Sequence, residues 1–356
     1  MHKLCRAIAY YLPQFHPIPE NDAWWGKGFT EWTNTANAKP LFPGHYQPHV
    51  PADLGFYDLR VPETRNAQAE MAKRYGIEGF CYYHYWFAGT RLLERPFNEV
   101  LESQEPNFPF CLCWANETWT GRWHGCSNRI LIEQTYPGKS DEERHFYTLL
   151  PAFFDDRYLK CDGKPIFLIY NPQQLPNPVK MTDHWRDLAS RHGLKGLYLI
   201  GVANDSWQPT DHGFDAATTK KPFHPAAMGE MRGTRKLRRL FRQFLKYPID
   251  IYSYKKVLPY LLIPDAHNVS IHPCVIPNWD NTPRCGLNGV VLHDSTPELF
   301  RRHLRETIKQ IAHKPFEQRL LFIKSWNEWA EGNHLEPDLR FGTSYLEVIK
   351  QEISVL

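Results

Sequence analysis

Two glutamates three residues apart stand where an apolar run ends near the carboxyl terminus of the chain. In Leu320 to Pro337, LLFIKSWNEWAEGNHLEP, four apolar residues give way to Asn327, Glu328, Trp329 and Glu331. The apolar part suits a strand covered on both faces, and carboxylates at its exit are cheap to solvate. A carboxylate pair lined by Trp326 and Trp329 fits paired acid and base work on a sugar, and equally the solvation of an ordinary loop.

Other apolar runs end the same way. His16, Trp25 and Glu31 follow the first, His84 and Trp86 the second, and Asn116, Glu117 and Trp119 the third; Trp279, Asp280 and Arg284 lie in PNWDNTPR after a later one. If these ends meet, carboxylates move protons, Asn, His and Arg bond hydroxyls, and Trp packs on a sugar face. Each residue also has a plainer reading. Glu117 fits an acid/base or a structural ion pair, His84 a substrate contact or a core histidine, and Glu336 a sugar contact or a rim salt bridge. A metal held by His84, Asp280 and the glutamates is a competing reading, but no HxH or HExxH spacing supports it, so no metal or cofactor is expected. Nor is there a G-x-S-x-G elbow for serine hydrolysis.

The elements that must carry these residues alternate. Strands are expected at Arg6 to Leu12, Gly79 to Tyr85, Phe108 to Trp114, Pro165 to Tyr170, Gly196 to Val202, Phe214 to Thr218, Ser270 to Ile276 and from Leu320, with helical sequence such as Pro62 to Tyr75, Glu142 to Phe154 and Asp183 to His192 between them. Eight alternating strands with polar residues after each predict a single (β/α)8 TIM barrel over 1–356, with its site at the carboxyl-end face. A doubly wound sheet is the alternative, but no G-x-G-x-x-G turn follows any strand. Asn21 to Asn37 reads as a structured loop over the site, too rich in Gly and aromatics for a helix.

Gly229 to Leu262 reads as a helical insertion between strands six and seven. Its basic run, Arg232 to Lys246, is interleaved with apolar residues at helical spacing. That pattern fits a solvated helix face on the barrel, with a peripheral membrane contact as the sharper alternative.

Composition narrows the class. With 42 basic and 39 acidic residues the net charge is +3, so nothing global calls for nucleic acid. Aromatics reach 14%, with 12 Trp clustered beside polar residues, as carbohydrate platforms require. The eight cysteines form no CxxC pair and read as core fillers in a reducing compartment. No stretch has signal-peptide or membrane-spanning length, and a cytoplasmic protein is expected.

Five ordered motifs carry a resemblance. Ala9 to Pro40, GFCYYHYWF (Gly79 to Phe87), CWANETWTGRW (Cys113 to Trp123), PNWDNTPR and SWNEWAEGNHLEP resemble the WbsX-like family, described as glycosyltransferases or as glycoside hydrolase family 99-like, from bacterial polysaccharide and O-antigen gene clusters. The resemblance implies a metal-independent, retaining enzyme on an oligosaccharide or polysaccharide. By that motif Glu331 is the general acid/base, and Glu328 deprotonates the substrate's 2-hydroxyl to give a 1,2-anhydro sugar. A glycosyltransferase with an activated donor and a non-catalytic glycan-binding protein are the alternatives.

Overall fold

The computed structural model describes residues 2–121, 129–203, 207–219, 250–263 and 270–355. Eight short apolar runs become parallel strands in the order of the sequence: Arg6–Tyr11, Gly79–Phe87, Phe110–Trp114, Lys164–Ile169, Tyr198–Ala203, Ala216–Thr219, the interrupted seventh, and Leu320–Ile323. Each pairs with its sequence neighbour, and Leu320–Ile323 returns to pair with Arg6–Tyr11. The expected TIM barrel is therefore present.

The seventh strand differs from the continuous run expected. Ile271–His272 pairs with strand six and Cys274–Val275 with strand eight, leaving Pro273 between them. Proline has no N–H for the ladder, so the strand breaks there, while the Pro273 carbonyl still accepts from Phe322 N at 2.9 Å.

Strands buried on both faces need apolar residues at every position, and Leu320, Leu321, Phe322 and Ile323 are all inaccessible to solvent. Inside the barrel Tyr10 stacks on Tyr83 with ring centroids 5.5 Å apart. Outside, Pro62–Arg74, Lys139–Phe154, Pro178–Arg191, Pro297–Ile311 and Ser344–Glu352 supply helices. The cysteines among the described residues are free thiols, and all but Cys285 are buried, as core fillers would be.

Two readings need correction. Asn21 to Asn37 is not a continuous loop: Pro19–Trp25 and Glu31–Asn37 are short helices. Pro19 fits the first turn, where its missing N–H costs nothing, and Thr33 Oγ1 accepts from the Thr30 N–H at 3.3 Å to open the second. The insertion is not purely helical either. Its described end holds Asp250–Ser253, a strand parallel to Val290–His293, followed by helix Tyr254–Leu261. Tyr254, Val257, Leu258 and Ile276 form a small apolar cluster there. The basic run Arg232 to Lys246 lies outside the described residues. No helix among them is long and apolar enough to cross a membrane.

Candidate active site

Beyond Ile323 the chain folds into a miniature hairpin in which Asn327–Glu328 pairs antiparallel with Asn333–His334, and Trp329–Glu331 forms the turn. Asn327 anchors it to strand one: its side-chain oxygen accepts from Leu12 N at 2.7 Å and its amide donates to Leu12 O at 3.1 Å. Gly332 closes the turn at φ +56, where a side chain is strained, and an added Cβ would sit 2.9 Å from Asp280 Cβ. Asp280 N in turn donates to Glu331 O at 2.6 Å. The backbone under Glu331 is thus fixed from two sides.

Glu328 and Glu331 open onto a cleft of about 610 Å³ at the carboxyl ends of the strands, with Glu31, Arg284 and Lys324 beside them. Tyr83, Tyr85, Tyr170, Trp25 and Trp119 contribute to its walls. The size and the mixture of aromatic and polar lining suit a small-molecule or sugar site. Arg284 Nη1 donates to Glu331 Oε1 at 2.5 Å, and its Nε donates to Glu31 Oε1 at 2.9 Å. Lys324 Nζ lies 3.4 Å from the Tyr170 hydroxyl and 5.0 Å from the centroid of the Trp279 ring. Glu331 Oε2 is buried and has no hydrogen-bond partner among the described residues.

Three buried carboxyls against two buried cations leave the site one positive charge short, and a proton is the cheapest remedy. Burial accordingly lifts Glu328 to about 7, against the opposing pull of Lys324 and with help from Glu331. Burial also raises Glu31, although Arg284 opposes the shift. Burial penalises both cations, but the surrounding acidic groups overcome it and raise Lys324 and Arg284 above their usual values.

Of the residues singled out in the sequence, Trp25, Glu31, Glu117, Trp119, Arg284, Glu328 and Glu331 meet in this cleft. The others do not line it. His84 Nε2 faces His145 Nε2 at 2.8 Å, and Trp86 stacks on the same His145 ring at 4.7 Å, on the helix side of strand two. His16 turns back to the Pro13 carbonyl at 3.0 Å. Asn116 Oδ1 accepts from Asn171 N at 2.7 Å, bridging strands three and four. Asp280 Oδ2 is taken by His45 at 2.6 Å and Gln47 at 2.7 Å; burial pushes this carboxyl up, but these donors and Thr282 outweigh it and hold it below the usual range. Trp279 lies under Lys324. Trp329 is buried and donates to Glu336 Oε2 at 2.6 Å, and Glu336 also receives Tyr57 and Gln68. His84 and Asp280 are far too committed elsewhere to form the metal set considered from sequence.

Tyr83, Tyr85, Tyr170 and Lys324 were not read as site residues from the sequence. Alternation along Gly79–Phe87 could have found the first two, because positions 83 and 85 share the face opposite His84 and Trp86.

The model of the family described as Glycosyltransferase WbsX matches residues 7–349. The chain belongs to the WbsX family. Two WxcX proteins of Xanthomonas campestris pv. campestris, from strains B100 and ATCC 33913, are each 39% identical over 350 residues, covering 98% of this chain and 49% of theirs. The chain thus spans about half the length of these curated relatives. Among solved structures, a glycoside hydrolase-like protein superposes with a TM-score of 0.62 at 15% identity, covering 100% of this chain and 95% of that one. The GH99 endo-alpha-mannosidase from Bacteroides thetaiotaomicron gives 0.60 at 15% identity, covering 98% and 96%. This WbsX chain therefore shares its fold with these glycoside hydrolase structures.

Proposed function

We propose that the chain is a retaining glycoside hydrolase or transglycosylase acting on a bacterial polysaccharide or O-antigen-type oligosaccharide, with Glu328 and Glu331 as its catalytic pair. The observation that carries this reading is the meeting of two buried glutamates from one turn in an aromatic-walled cleft at the barrel's carboxyl-end rim. The likeness to an endo-alpha-mannosidase suggests α-linked mannose or a similar sugar.

In this reading Glu328 takes the proton of the substrate's 2-hydroxyl as that oxygen bonds to the anomeric carbon and the glycosidic bond breaks. A base whose pKa is about 7 is matched to this task at neutral pH. Glu331 gives a proton to the departing oxygen through Oε2, since Oε1 is engaged by Arg284. Water or a sugar hydroxyl then opens the 1,2-anhydro ring. Glu331 removes the proton of that incoming group, and Glu328 returns its proton to the sugar oxygen, restoring both carboxyls and the original anomeric configuration.

The family's description favours a second reading, a glycosyltransferase that consumes an activated sugar donor. Incubating the purified protein with α-linked manno-oligosaccharides, isolated O-antigen polysaccharide and GDP-mannose separates the two. New reducing ends or transglycosylation products from the glycans support the proposal. Consumption of GDP-mannose with the glycans left intact contradicts it and supports the transferase. Glycan binding without any product, unchanged in a Glu328→Gln/Glu331→Gln double variant, indicates a binding protein instead.

A further inference from the structure

At the end of the hairpin that carries Glu328 and Glu331, outside the lining of the cleft, three buried side chains from two segments converge: His334 and Asp338 from the hairpin's end, and His49 from far earlier in the chain. Their ligand atoms lie within 4.8 Å of one another. We propose that these three residues bind one divalent transition-metal ion of the zinc class, which ties the catalytic hairpin to the segment around His49. The proposal stands apart from the reaction assigned to the cleft.

Proton counting carries the argument. His334 Nδ1 lies 2.9 Å from the Glu336 carbonyl, an acceptor only, so the ring proton sits on Nδ1 and the Nε2 lone pair is bare. That lone pair faces His49 Nδ1 at 2.8 Å and Asp338 Oδ2 at 3.9 Å. The buried gap therefore holds two acceptors, the His334 nitrogen and the Asp338 carboxylate, with one proton on His49 between them and the neutral Tyr46 hydroxyl beside Asp338. A buried carboxylate left short of positive charge is costly, and a cation answers both acceptors at once.

The donor set agrees. Two imidazoles and one carboxylate match zinc, and an outer carbonyl that fixes the tautomer of a ligating histidine is the usual support of such sites. Asp338 Oδ1 is already held by the N–H groups of Arg340 at 2.9 Å and Phe341 at 2.7 Å, which aims its carboxylate. The rings are clamped as well: His334 stacks on Trp329 at 3.7 Å between centroids and His49 on Tyr46 at 4.3 Å. Two nitrogens each ~2.0–2.1 Å from a tetrahedral ion stand ~3.3 Å apart, so the imidazoles need to part by only about half an ångström. On binding, the His49 proton moves from Nδ1 to Nε2, so both rings stay neutral and no proton is lost. The adjoining cavity, about 10 Å³, has room for about one water as a fourth ligand.

The ion would reinforce a seam already present in the backbone, where Ala52 N donates to Pro337 O and Leu339 N to Val50 O, both at 2.9 Å. Through the Trp329 stack it would stiffen the turn that carries Glu331.

The test uses tag-free full-length protein stripped with a chelator and titrated with Zn²⁺ by calorimetry and with Co²⁺ by visible spectroscopy. Saturable binding of one equivalent is expected, with the d–d bands of a four-coordinate cobalt site. His49→Gln and Asp338→Asn should each weaken Zn²⁺ binding at least ~10-fold, while His192→Gln, an exposed histidine elsewhere, leaves it unchanged. Should either variant fail to fold, the wild-type cobalt spectrum decides. No saturable Zn²⁺ uptake by the wild type, a six-coordinate all-oxygen cobalt spectrum, or equal uptake by the folded variants overturns the proposal.

Discussion

Arg284 Nη1 donates to Glu331 Oε1 at 2.5 Å while another edge of the same guanidinium is held by Glu31. In the proposed mechanism this arrangement keeps a counterion on Arg284 while Glu331 gives and takes its proton. When Glu331 carries a proton, Glu31 still neutralises Arg284, and when it is ionised the guanidinium spans both carboxylates. Arginine's planar fork is what allows two carboxylates to be held at once.

Arg284→Lys keeps the charge and loses the fork. In the proposed mechanism kcat should fall about 100-fold, the scale expected when a reacting group is misplaced by about 1 Å, with little change in KM. Steady-state kinetics on a cognate glycan check this. A rise in KM at constant kcat would make Arg284 a substrate contact instead.

A pH–rate profile reads Glu328. Acting as a base it must be ionised, so kcat/KM should rise with pH through about 7. Lys324 is the cation that most lowers this pKa, so Lys324→Met should move the limb to higher pH. A limb that stays in place after this substitution would separate Glu328 from the titration.

The same group ties stability to pH. Its folded pKa is raised, from 4.5 to about 7, so its contribution is fully present below about 4.5 and is lost as pH rises through about 7. Glu328→Gln removes that dependence. The stability of the variant relative to wild type should increase across this interval by up to roughly 3 kcal/mol and level off above it. Thermal melts across the pH range measure it, and a constant difference would contradict the burial argument.

Asp280 and Trp119 should separate support from contact. Asp280→Asn puts an amide donor against Gln47 and breaks a buried pair with His45, costing about 3 kcal/mol or more and lowering kcat through the Glu331 backbone. Trp119→Ala, on the cleft wall, should raise KM about 10-fold with a smaller stability cost. Melting temperatures and kinetics of both variants check the contrast.

The barrel was legible because each strand is an apolar run with an abrupt polar exit, a pattern that barrel geometry imposes. The pair Glu328 and Glu331 stood out for the same reason. Which side of a strand a residue occupies was harder. On Gly79–Phe87 both faces are buried, so chemistry-bearing His84 and Trp86 drew attention while Tyr83 and Tyr85 took the cleft. Lys324 is not legible as a site residue because a lysine at the end of an apolar run reads as the first solvated residue; only its burial reveals a cation held in the field of the acidic cluster. Asp280 and Glu336 have the residue types of substrate contacts, yet His45 and Gln47 on the one, and Tyr57 and Gln68 on the other, come from segments more than 200 residues away, beyond any local pattern.

The most direct test is turnover of a cognate glycan by purified Glu328→Gln and Glu331→Gln proteins whose folding is verified by thermal melts. Each should be reduced at least ~100-fold, the scale of acid/base catalysis. Full activity in either folded variant would contradict the assignment of the catalytic pair.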